Sequence, residues 1–143
     1  MVESAMILLP LLAIIFAFID HGLFLFLQNT FQHAAREGVR YAITYQLKTG
    51  MMHDASIKSV VSGNAMGFLK NCGDCVKIRY FRPDTLTETA QNLPGNLIEV
   101  SIEGYSFPWM APVWRTQAAM NVGARASDRM EGLAGGGSPP QRW

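Results

Sequence analysis

The residues with chemistry to offer are few. In the stretch of 23 residues from position 5 to position 27, 19 are Ala, Ile, Leu, Met or Phe, and the exceptions are Pro10, Asp20, His21 and Gly22. A carboxylate near the middle of such a segment costs on the order of 3 kcal/mol in hydrocarbon, so Asp20 needs a reason. Its helical neighbours three and four positions away are Phe16, Ala17, Leu23 and Phe24, none of which pairs with a carboxylate. Asp20 is therefore protonated, bonded to a group on another chain, or wetted by a headgroup layer; the inter-chain reading is preferred. Gly22 removes a side chain where two helices could approach closely, or is simply tolerated. Glu3 stands at the positive end of a helix macrodipole, where a carboxylate gains roughly 0.3 to 1 kcal/mol. A lone His21 reads as a polar contact, not a metal ligand.

Cys72 and Cys75 flank Gly73 and Asp74. A zinc site lacks a second ligand pair, covalent haem attachment lacks a histidine at Val76, and a thioredoxin-type motif would open a helix in an α/β domain. A structural disulfide tightening a turn is preferred, with free thiols as the alternative. No nucleophile elbow, phosphate loop, HExxH or paired carboxylates occur, and His21, His33 and His53 are spread along helices. No catalytic residue, cofactor or metal is expected, and the chain does not read as an enzyme.

These side chains need elements to position them. At roughly 1.5 Å per residue the apolar stretch makes a helix about 35 Å long, enough to cross hydrocarbon about 30 Å thick. Beyond it, small or apolar residues at 31, 34, 35, 38, 41, 42 and 45 continue the period, with Gln32, Arg36, Glu37 and Arg40 between them. The pattern predicts one helix from near Val2 to near Lys48, ended by Gly50 and kinked near Pro10. Glu37 is one turn from Tyr41 and reaches Arg40, or Arg36 of a neighbour, in exposed pairs worth tenths of a kcal/mol. The alternative is a solvated face with a docking stripe of Ala34, Ala35, Gly38 and Ala42.

Residues 53–69 form a second amphipathic helix with Asp54 as its cap. Val76, Ile78 and Tyr80 alternate with Lys77, Arg79 and Phe81; Ile98, Val100 and Ile102 alternate with Glu99, Ser101 and Glu103. Placed antiparallel, these strands set Lys77 and Arg79 against Glu99 and Glu103 on the wet face. Residues 116–125 supply a third strand. Pro108, Trp109, Pro112 and Trp114 make a stiff aromatic loop that caps the core or serves as a contact surface. The expected architecture is α+β: a hydrophobic membrane or filament-core helix (1–27), its continuation (28–50), an α+β domain with a small three-stranded antiparallel sheet (51–131) and a flexible tail (132–143).

Val2-Glu3, Leu8-Leu9-Pro10-Leu11-Leu12, Ile19-Asp20-His21-Gly22 and the block from Ala34 through Arg36, Glu37, Gly38, Arg40 and Tyr41 to Ala42 together resemble the TadE-like family of the bacterial tight adherence machinery. The resemblance covers about the first 45 residues. It implies a pilin-like fold and a structural subunit of a type IV-related pilus serving surface attachment. It further implies processing by a prepilin peptidase, residence in the cytoplasmic membrane before assembly, and then a place in an extracellular filament of like subunits. In such assemblies Glu3 would pair with the free N-terminal amine of a neighbour. Glu3, Pro10, Asp20, Gly22, Arg36, Glu37, Arg40 and Tyr41 are the expected assembly residues. The alternative is a monomeric membrane-anchored periplasmic binding domain of an envelope or secretion complex.

Composition is light in charge for an ordinary soluble chain and excludes several classes. The 143 residues support at most one compact domain and one appendage; 49% are hydrophobic and 16% charged, too apolar for a disordered chain. A net charge of +1 with scattered Lys and Arg offers no basic patch for nucleic acid. Arg36, Arg40 and Lys48 follow the apolar segment, which by the positive-inside rule would hold the domain in the cytoplasm. We favour a basic leader, once ahead of Met1 and since removed, with the domain outside.

Overall fold

The structure, a computed structural model, describes residues 2–108, 119–133 and 136–143. Helix α1, Val2–Ile43, runs for 42 residues and contains Pro10. It stops earlier than the periodicity implies. Tyr45 takes a left-handed φ of 54°, well before Gly50. Tertiary contacts hold it there: its ring stacks on His53 at 5.8 Å and its hydroxyl donates to the Asn92 carbonyl at 3.0 Å.

Helix α2 spans His53–Asn64 and is shorter than the expected 53–69, because Met66 and Gly67 adopt φ of 52° and 85°. The periodicity survives as turns, so Ile57, Val61, Ala65 and Leu69 are all buried. Asp54 is not the cap. Met52 holds that position and makes no side-chain cap bond.

Strands β1 (Val76–Phe81), β2 (Glu88–Thr89), β3 (Leu97–Phe107) and β4 (Met120–Arg129) form one antiparallel sheet in the order β2-β1-β3-β4. The sheet has one strand more than expected: β2 is only two residues long, too short to leave a periodicity in the sequence. The β1–β3 register places Ile78 opposite Val100 and Arg79 opposite Glu99. The third expected strand lies later than predicted, and its start at 116–118 falls outside the described residues, as does the loop containing Trp109, Pro112 and Trp114.

The charges gather on one face as the alternation requires. Lys77 meets Glu103 at 3.4 Å, Arg79 meets Glu99 at 3.5 Å and Glu103 at 3.6 Å, and Arg125 reaches both glutamates at 3.7 Å. Bonding from Ser101 Oγ, at 3.0 Å, with help from Lys77 and Arg79, holds the Glu103 carboxyl below its ordinary range. Between Ile102 and Tyr105 the β3–β4 register shifts, and Gly104 there takes a φ of 77°. This bulge changes the parity, so Phe107 points inward after Ile98, Val100 and Ile102.

The core lies between the C-terminal half of α1, α2 and the inner face of the sheet. Phe31 sits at its lower end, edge-on to Tyr105 with centroids 5.0 Å apart. Gly38 marks the tightest crossing. A Cβ there would overlap Val61 Cγ2 of α2 and lie 3.6 Å from Val100 Cγ1 of β3.

Candidate assembly surface

The N-terminal half of α1 has little of its own chain against it. Met6, Ile7, Leu9 and Phe18 are 71–76% exposed, and 14 large apolar residues between Met6 and Phe26 remain open to the surroundings. Even at about 1 kcal/mol each, since the helix already covers part of every side chain, their removal from water is worth on the order of 10 kcal/mol. The helix is long and apolar enough to cross a membrane.

One stripe is covered. Ala13 and Ala17 are half-buried, Asp20 is buried, Phe24 half-buried and Leu27 and Phe31 buried, at steps of three or four residues. This stripe continues through Ala34, Ala35, Gly38 and Ala42 into the core, so from Phe24 onward a single face of α1 is turned to the domain. The preferred reading of Asp20 sets it against a group on another chain. In the fold it is 1% exposed and engaged within the chain, which only the tertiary packing reveals.

The other expected assembly residues separate into two sets. Glu3 is exposed in the first turn, Pro10 is exposed, and Gly22 lies on the open face with nothing within 4 Å of where a Cβ would stand. Arg36 and Arg40 are exposed and Glu37 and Tyr41 half-buried, about 50 Å further along the helix from Glu3. The two sets do not form one site. In the Ala34–Ala42 block the small residues serve the fold, seating α1 on α2 and the sheet, while the arginines stay outside. Among the described residues no ion pair of Glu37 is found.

Cys72 and Cys75 are joined by a disulfide, with Cα atoms 5.4 Å apart, in the turn that leads into β1. Among the described residues no group of three or more His, Cys, Asp or Glu side chains is placed to hold a metal ion.

A second cluster escaped the sequence. Tyr80 Oη donates to Asp54 Oδ1 at 2.9 Å and lies 3.3 Å from His53 Nδ1. Arg142 binds Asp54 Oδ2 through Nε at 3.1 Å and Nη2 at 2.9 Å. Burial holds the His53 imidazole below the usual histidine range, against the opposing pull of Asp54 and the Ala42 backbone; Arg142 adds to the lowering. His53 is fully enclosed, and its Nε2 makes no hydrogen bond. Burial, then the Asp54 charge, raises the Tyr80 phenol far above its ordinary value, so it serves as a permanent donor. The sequence marks Asp54 only as a helix cap and Tyr80 only as a strand residue, because the cluster forms only when the segment carrying Arg142 returns to α2.

The open apolar half of α1 and the patterned block behind it are the features that a family comparison can test. Residues 1–40 match the sequence model of the TadE-like protein family. No curated protein and no solved structure matches the chain. The TadE-like segment is thus nearly the whole of α1, including both the uncovered rod and most of the helix that the domain is built on. This match and the apolar helix are consistent with a tight adherence pilus-related protein anchored in a membrane through α1.

Proposed function

We propose that this chain is a structural, pilin-like subunit of a tight adherence pilus, held in the cytoplasmic membrane through α1 and then packed with like subunits into an extracellular filament. The observation that carries the proposal is the division of α1: its second half is the backbone of the domain core, and its first half presents apolar side chains on every face but one. Lipid satisfies such a surface, and so do neighbouring helices. Exchanging lipid for helices leaves the apolar burial nearly unchanged, so packing and polar contacts decide which wins. Gly22, with open space around it, gives a neighbouring helix room to approach. Glu3, at the exposed helix start, is placed to meet a neighbour's N-terminal amine and fix its register.

In this reading the chain binds and packs; it catalyses nothing, and surface attachment follows from assembly. A prepilin peptidase would release it for assembly. Electron microscopy of sheared cell-surface material, with immunogold labelling of the domain, tests the proposal. Labelled fibres are expected. Recovery of the chain only as monomers in detergent extracts of the membrane overturns it and favours the anchored binding domain.

A further inference from the structure

Residues 139–142 do not form the flexible tail that their composition implies; they are seated on the domain as a peptide ligand would be. Two of their carbonyls supply what α2 lacks. With Met52 giving no side-chain cap, the His53 amide donates to the Gln141 carbonyl at 3.0 Å and the Asp54 amide to the Arg142 carbonyl at 3.2 Å. Asn92 Nδ2 donates to the Pro140 carbonyl at 2.9 Å.

The Arg142 side chain is read on every edge. Its Nε and Nη2 fork onto Asp54, its Nη1 donates to the Ala90 carbonyl at 2.6 Å, and its guanidinium lies 4.2 Å from the Tyr80 ring centroid and 4.1 Å from that of Trp143. Both charged partners are largely withdrawn from water, at 11% and 14% side-chain exposure. A planar five-donor cation fits such a slot, and an ammonium does not.

We infer that the slot framed by the α2 N-terminus, Asp54, Tyr80, Ala90 and Asn92 is a binding site for an arginine-bearing peptide segment, filled in cis by residues 139–142 and open to the same segment of a second copy. The seated segment follows a stretch that includes Gly135, Gly136, Gly137 and Ser138. Such a short tether delivers its ligand at an effective concentration in the millimolar range, which keeps the slot filled by its own chain. Where copies are crowded, a neighbour's segment competes on equal chemistry, and exchange would link subunits without any new contact. The inference rests on the seating of this segment and stands whether or not the chain forms pili.

The test uses the full chain in detergent. Arg142→Ala weakens the cis ligand, and hydrogen exchange at the His53 and Asp54 amides is expected to quicken by about tenfold or more, as loss of a forked charge-assisted pair requires. A synthetic peptide with the sequence of residues 138–143, added in excess, then restores the protection. The same peptide with lysine in place of arginine restores it far less, and Asp54→Asn in the Arg142→Ala background abolishes the rescue. Arg142→Lys keeps the charge and guards against a variant that fails to fold; it too should speed exchange at these two amides. Unchanged exchange in both variants overturns the inference, and so does equal rescue by a scrambled peptide.

Discussion

Replacing Gly38 by alanine tests the seating of α1 on the domain. The added methyl would overlap Val61 Cγ2 and stand 3.6 Å from Val100 Cγ1 and 3.8 Å from Ile57 Cγ2. All three of those residues are fully buried, so Val61 must shift against packed neighbours to make room. Overpacking of a closed core costs about 1–3 kcal/mol, and this enclosed site belongs near the top of that range. Alanine's better helix propensity returns about 1 kcal/mol, leaving a net loss of about 2 kcal/mol. That is a factor of about 30 in the folding equilibrium.

With a urea dependence of about 2 kcal/mol per molar, the midpoint should fall by about 1 M. The assay is urea unfolding of the detergent-solubilised chain followed by near-UV circular dichroism, which reports packed rings such as the Phe31–Tyr105 pair. Val61→Ala removes the clashing methyl, so the double variant should be more stable than the sum of the two single losses predicts, by about 3 kcal/mol. Gly22→Ala, with open space around it, should leave the domain's midpoint unchanged. A Gly38→Ala midpoint equal to or above that of the parent would refute the close approach of α1 to α2, because helix propensity alone predicts that result.

Acid should weaken the fold through His53. The folded imidazole is held below the unfolded value of 6.5, so the unfolded chain takes the proton first; stability is complete above that pH and declines as the pH falls below it. The slope is at most about 1.4 kcal/mol per pH unit, and His53→Gln should flatten it in urea titrations between pH 7 and 5. Thiol titration of the unreduced, denatured chain should find no free thiol, and opening the short Cys72–Cys75 loop by serine substitution should cost about 2 kcal/mol. Glu3→Ala should leave the domain's stability unaltered while blocking incorporation into fibres; normal fibres in that variant would remove Glu3 from the assembly mechanism.

The pattern of the chain specifies its elements where one physical signal dominates. A run of apolar residues too long for a soluble core helix marks the first half of α1, and the Ala34, Ala35, Gly38 and Ala42 stripe marks the face that docks. Alternation in Val76–Phe81 and Leu97–Phe107, with lysine and arginine on one strand and glutamate on the other, specifies their pairing, since a slip of one residue would bury those charges. Element ends obey other forces. Tyr45 stops α1 because its ring and hydroxyl find partners on α2 and in the Asn92 segment, and no local residue type announces that contact.

The same distinction separates the two sites. An oily rod with Glu3 at its start and a glycine on its open face is legible residue by residue, because its character comes from what lies along one helix. The Asp54, Tyr80 and Arg142 cluster comes from residues far apart in the chain, as the separation of 88 positions from Asp54 to Arg142 shows. Local periodicity carries burial and direction, so the sequence by itself determined which surfaces would be greasy and that the two strands of opposite charge would pair. It holds no record of which distant groups close on each other. Only the packed chain decided that a carboxylate in the rod is sheltered and that residues 141 and 142 return to cap the second helix.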